Sequence, residues 1–218
     1  MISYELKCIF IHIPKCGGSS IERALWPRPE DRNEANLYWG FISKYHNKYQ
    51  TGGLQHLLAS QVREEVGAEI FERFYKFAFV RNPWDRIVSQ FVYMQQRPDL
   101  MDYIGMSLRT EFKTYLELIQ KKEHVQWMPQ HKFLLDENGT LLVDQIGRLE
   151  SFKADFSSIL ASLKLDKSMQ IQHANRTDRK PIVEYYSSSE AVDMVAEIYA
   201  EDIKLLGYRF DQLIPLNS

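Results

Sequence analysis

The sequence predicts a parallel α/β fold, and three observations carry that prediction. Residues 7–13 (KCIFIHI) and 76–80 (KFAFV) are short, nearly continuous apolar runs of the kind found in strands covered on both faces. Each run ends at a breaker, Pro14 or the triplet Arg81-Asn82-Pro83, and a helical stretch follows. In the second helical stretch Trp84, Ile87, Val88, Phe91 and Val92 recur at i, i+3, i+4, i+7 and i+8, the apolar stripe of a helix lying on a sheet.

The remaining elements follow the same logic. After the first strand, Gly17 and Gly18 make a loop and residues 19–25 a helix. Residues 27–55 are polar and aromatic, with Pro27, Pro29, Gly52 and Gly53 as breakers, and read as an excursion over the sheet. Residues 57–66 and 70–74 have helical spacing and lead into the second strand. Pro83 suits the first position of a helix capped by Asn82. Further helices are expected at 108–120, 152–163 and 189–206, and a strand at 145–149. No internal repeat, low-complexity tract or linker interrupts the 218 residues, so one domain spanning residues 1–218 is expected, its 44% hydrophobic content supplying a single core.

Charge narrows the function classes. Lys and Arg number 27 against 29 Asp and Glu, which gives no global basic field for nucleic acid, so an anion site must be local. Glu5 and Lys7 interrupt the apolar character of the first residues and no later run approaches spanning length, so a soluble chain without a membrane span is expected. Cys8 and Cys16 flank a predicted strand and its loop and read as reduced thiols, which fits a cytoplasmic setting. Asn138-Gly139-Thr140 and Asn175-Arg176-Thr177 match the glycosylation pattern, but chance explains them in that compartment. No His, Cys and carboxylate cluster has metal-ligand spacing, so no metal is expected, and no particular oligomeric state is implied.

The segment Pro14-Lys15-Cys16-Gly17-Gly18-Ser19-Ser20 has the form of an anion loop. A tight glycine turn after a strand lets backbone N–H groups approach an anion, and the helix that opens there adds a favourable dipole. Lys15 supplies a cation, and Ser19 and Ser20 supply hydroxyls. A bland two-glycine turn is the competing reading. The Walker A order is wrong, because here the lysine precedes the glycines. Cys16 is followed six positions later by Glu22 rather than the arginine of cysteine-dependent phosphatases, so it reads as a loop residue and not a nucleophile.

FIHIPKCGGSS at 10–20 resembles the 5′-phosphosulfate loop of the sulfotransferases that use 3′-phosphoadenosine 5′-phosphosulfate (PAPS), especially the carbohydrate branch with the heparan sulfate 2-O and 6-O enzymes. FAFVRNPWDRIVSQF at 77–91 is similar to their 3′-phosphate motif. The resemblance implies a P-loop-like, three-layer fold with a central, mainly parallel sheet flanked by helices. It also implies a transferase that moves a sulfuryl group from PAPS, leaving adenosine 3′,5′-bisphosphate (PAP), to a carbohydrate or other small hydroxylated acceptor. Carried over, Pro14 to Ser20 hold the 5′-phosphosulfate with Lys15 in a catalytic role, and Arg81 and Ser89 hold the 3′-phosphate. An ion pair with Asp85 is the plainer reading of Arg81, and small-residue packing that of Ser89.

Such chemistry needs a base for the acceptor hydroxyl, and a histidine suits it. His12 lies in the first strand and reads as structural. The resemblance places a catalytic histidine between the two motifs, which selects His56, with His46 in reserve. The segments 126–130 (QWMPQ) and 143–150 (VDQIGRLE), and an ending with Tyr199, Asp202, Gly207 and Tyr208, extend the likeness over nearly the whole chain. The polar loop His173-Ala174-Asn175-Arg176-Thr177, with Arg179 and Lys180, is a second basic candidate, Arg176 and Thr177 being its nucleotide contacts; a solvated turn explains it equally. Tyr38, Trp39, Phe41, Tyr45 and Tyr49 are candidates for an acceptor cleft or for ordinary packing. The membrane anchor and disulfides of the Golgi enzymes have no counterpart in this sequence, so a glycosaminoglycan acceptor is not implied. A small-molecule kinase with an aberrant loop and a noncatalytic nucleotide-binding protein remain the rival readings.

Overall fold

A computed structural model describes residues 1–45, 53–166 and 179–213. The chain divides into two compact units, Met1–Val80 with Lys132–Asn175, and Arg81–His131 with Arg176–Ser218.

The first unit holds the sheet. Strands β1 (Ile2–Ser3), β2 (Cys8–Ile11), β3 (Tyr75–Val80) and β4 (Gln145–Arg148) lie in that order; β1 is antiparallel to β2, and the other two pairings are parallel. The register sets Phe10 beside Phe77 and Val80 beside Arg148. All four residues of β2 and the last five of β3 are buried, which is why these strands read as nearly continuous apolar runs instead of alternating ones. The Phe10 and Phe77 rings stack at 5.1 Å, and Phe79 meets Phe152 at 4.9 Å. Helices α1 (Gly18–Leu25), α2 (Ala59–Val66) and α3 (Ala68–Arg73) follow β2 in the chain, and α8 (Phe152–Ser162) follows and packs on β4. The predicted class, a mixed α/β fold with a mainly parallel sheet flanked by helices, is the one observed. The antiparallel edge β1 was not predicted: two residues are too few to show a period.

The second unit is helical, with α4 (Pro83–Met94), α5 (Pro98–Ile104), α6 (Phe112–Ile119), α9 (Ser189–Ile198) and α10 (Ala200–Leu206). The short α7 (His131–Leu134) begins at this unit's last residue before the chain returns to the sheet unit. α4 starts as its sequence dictates: Pro83 takes the first position and the Asn82 side chain accepts the Trp84 N–H at 3.2 Å. Trp84, Ile87, Val88 and Phe91 are buried as predicted, and so are Arg86, Ser89 and Gln90 on the same helix. α4 packs on α5, α6 and α9, with Phe91, Phe112, Tyr115, Tyr185 and Tyr186 forming an aromatic cluster. The single helix expected at 189–206 is two, broken at Tyr199, whose hydroxyl is drawn to the Trp127 carbonyl at 2.8 Å.

Cys8 and Cys16 are both buried, and neither is in a disulfide. Burial pushes the Cys8 thiol up to about 12. No described helix is long and apolar enough to cross a membrane, and no three His, Cys, Asp or Glu side chains among the described residues gather as metal ligands.

Candidate active site

The loop after β2 is shaped by its backbone. Lys15 has φ 68° and Gly17 φ 85°, two left-handed residues that turn the chain sharply between Ile11 and the start of α1. Glycine adopts that region freely, whereas for a lysine it costs about 1–3 kcal/mol, so the surroundings must hold it there. Ser20 N–H donates to the Gly17 carbonyl at 3.1 Å, closing the turn. Lys15, Gly17 and Ser19 are half-buried; Pro14, Cys16, Gly18 and Ser20 are buried. Gly18 is required by space: a Cβ there would fall 1.9 Å from His12 Nε2.

His12 therefore lies directly against the loop. Its Nδ1 is 2.7 Å from Glu22 Oε1, and the Tyr38 hydroxyl donates to Glu22 Oε2 at 2.8 Å. Burial alone would raise the Glu22 carboxyl, but the His12 imidazole and the Tyr38 hydroxyl outweigh it and bring the carboxyl down to about 2. The His12 ring packs between Phe10, at 5.4 Å, and His56, at 4.5 Å.

His56 ends the 3-10 turn Leu54–His56 and is only partly exposed. Its Nδ1 is 3.0 Å from the His12 carbonyl oxygen. A carbonyl can only accept, so Nδ1 carries the ring proton and Nε2 keeps its lone pair. Burial, and next the charge of neighbouring His12, push the His56 imidazole down to about 3. Two of the six histidines that the sequence could only rank thus sit together, with Lys15 three residues beyond His12. His12 and Glu22 were not singled out as site residues: nothing in their spacing shows that a strand end and the middle of the next helix meet.

The second motif belongs to the helical unit. Arg81 follows β3, and its Nε donates to Asp85 Oδ2 at 2.8 Å while Nη2 reaches the same oxygen at 2.6 Å. The ion pair offered as the plainer reading is therefore formed. Asp85 also binds the guanidinium of Arg179 through Oδ1, so two arginines converge on one carboxylate. Ser89 is buried on α4, two turns further on. The Gln130 carboxamide holds the Arg81 backbone, a contact no local pattern announces. Arg176, Thr177, His46, His173 and Tyr49 lie outside the described residues. Of the remaining histidines, His124 stacks on Trp127 at 4.8 Å and His131 is paired with Asp202. Among the acceptor-cleft aromatics, Trp39 and Phe41 are exposed, whereas Tyr38 is buried on Glu22 and Tyr45 donates to Glu64.

The family model described as "Sulfotransferase family" matches residues 1–209. An uncharacterized protein of Archaeoglobus fulgidus is 23% identical over 114 residues, which cover 52% of this chain and 88% of that protein. The crystal structure of a sulfotransferase from Alicyclobacillus acidocaldarius superposes with a TM-score of 0.50 at 16% identity, covering 94% of this chain and 97% of the other, a likeness of fold. A match that begins ahead of the phosphate loop and runs past α10 takes in both motifs and every strand, and on it the chain belongs to the sulfotransferase family.

Proposed function

We propose that the chain transfers the sulfuryl group of PAPS to an acceptor hydroxyl, carbohydrate or another small hydroxylated molecule, leaving PAP. The observation that carries this reading is the 3.0 Å contact of His56 Nδ1 with the His12 carbonyl, which leaves the Nε2 lone pair available on a residue fixed to the strand end that feeds the phosphate loop. The donor set suits the nucleotide: a lysine and helix-start amides in one segment, two converging guanidiniums in the other.

PAPS, when bound, supplies an activated sulfuryl group whose leaving oxygen belongs to the 5′-phosphate. Pro14 to Ser20 hold that phosphate, and Lys15 neutralises charge on the leaving oxygen. Arg81 and Ser89, with Arg176 and Thr177, hold the 3′-phosphate. His56 Nε2 takes the acceptor proton, and the ionised Glu22 behind His12 favours the imidazolium that results. An anion held in the loop would raise the His56 imidazole towards the working range. Residues 1–218 act as one sulfotransferase domain in this reading, in a cytoplasmic setting.

The test is turnover of labelled PAPS with a panel of hydroxylated acceptors. His56→Ala is expected to lower kcat by roughly 10²–10⁴-fold while the Kd for PAP stays within about twofold, and Lys15→Ala to lower both kcat and nucleotide affinity. Transfer that persists at the parental rate in His56→Ala would remove His56 as the base. Thermal protection by ATP with magnesium, and none by PAP, would replace the reading with a kinase.

A further inference from the structure

We infer that Gln130 and Asp202 are positioning residues that pre-set Arg81 for a 3′-phosphate, an inference that rests on the reading of Arg81 just given. Gln130 is wholly buried and both ends of its carboxamide meet Arg81: Oε1 accepts the Arg81 N–H at 2.9 Å and Nε2 donates to the Arg81 carbonyl at 2.8 Å. Arg81 lies one residue past the end of β3, where ladder pairing has stopped. A planar amide gripping both the N–H and the C=O of one residue restrains its φ and ψ together, and with them the direction in which the side chain leaves the backbone.

The clamp is itself anchored. Asp202, on α10 and also wholly buried, accepts the Gln130 N–H at 2.7 Å and the His131 N–H at 2.8 Å, and His131 Nδ1 lies 2.8 Å from the same carboxylate. A buried carboxylate is tolerable only with such donors, and three charge-assisted contacts fix residues 130 and 131 to α10. The far end of the arginine is held by Asp85. Arg81 is thus restrained at its backbone by one element and at its guanidinium by another, so it has little rotamer freedom left to lose when an anion arrives. No other standard side chain reproduces the clamp: methionine fills the volume without either bond, an ionised glutamate keeps the bond from the N–H but turns a carboxylate oxygen towards the carbonyl, and asparagine is one methylene short.

The experiment is calorimetric titration of the full chain with PAP and with adenosine 5′-monophosphate, which lacks the 3′-phosphate. Gln130→Met is expected to weaken PAP by about tenfold and leave the monophosphate within about twofold. Asp202→Asn is expected to show the same selective loss, smaller. Equal losses for the two nucleotides, or a lowered melting temperature with both affinities intact, would reduce Gln130 to a structural staple and overturn the inference. Should Gln130→Met fail to fold, Gln130→Glu, which is isosteric and retains one bond, must show the selective loss or the inference fails. A parental chain that binds PAP no better than the monophosphate, with the loss absent throughout, would instead remove the 3′-phosphate from Arg81 and take the clamp's purpose with it.

Discussion

The loop at residues 14–20 and the segment at Arg81 are both anion sites in the proposed reading, yet they are built by opposite means. The loop takes its shape from its own backbone: left-handed Lys15 and Gly17, a closing bond from Ser20, and a Gly18 that leaves room for the His12 ring. Arg81 has no such local geometry. It is held by Gln130, 49 residues away, and by Asp85 on the next turn, a carboxylate that also pairs with Arg179, 94 residues further along the chain. A site made of backbone depends on atoms that are absent, such as a missing Cβ, whereas one made of side chains depends on which groups are present.

That difference can be broken experimentally, starting with the loop. Gly18→Ala places a Cβ inside the buried His12 ring, which is confined by Phe10 and His56 and cannot swing aside. The expected cost is about 1–3 kcal/mol of stability by overpacking, together with loss of nucleotide protection, both read from melting curves with and without PAP. A fully stable Gly18→Ala chain would show that the ring has somewhere to go. In the Arg81 segment the corresponding local change is milder: Asn82→Ala removes the cap of α4 and is expected to cost about 1 kcal/mol in denaturant unfolding, with the loop's affinity for a 5′-phosphate unchanged.

A further signal is in acid. His56 is depressed from 6.5 to about 3 and Glu22 from 4.5 to about 2, so in each case the unfolded chain binds the proton first. Stability should therefore be full above pH 6.5 and fall as pH drops, through His56 first and through Glu22 below pH 4.5. A His56→Asn chain should be flatter between pH 6.5 and 4.5 than its parent in pH-dependent chemical denaturation. Identical slopes would mean that solvent at the partly exposed ring cancels the depression.

Which parts were legible in the sequence follows from the same contrast. Strands β2 and β3 were legible because burial on both faces leaves them almost wholly apolar, Lys76 being the one charged residue, and α4 because Asn82 and Pro83 mark its start. Both phosphate segments were legible as motifs because each is contiguous. The Glu22–His12–His56 grouping was not, since it joins a strand end, a helix and a one-turn excursion only after the sheet has formed. Nor was the Asp202–Gln130–Arg81 chain, although the segments at 126–130 and around Tyr199 had each been noted separately; the Tyr199 bond to the Trp127 carbonyl shows that they are packed as one. The break at Tyr199 is not legible because apolar periodicity runs on across it.

The left-handed Lys15 carries a consequence for anyone evolving this molecule. Selection for heat resistance alone would be drawn to position 15, where glycine relaxes the backbone at no steric cost, and would discard the one cation the loop presents. Laboratory lineages should accordingly be screened for turnover at every round, or they will drift towards a sturdier chain with an inert turn.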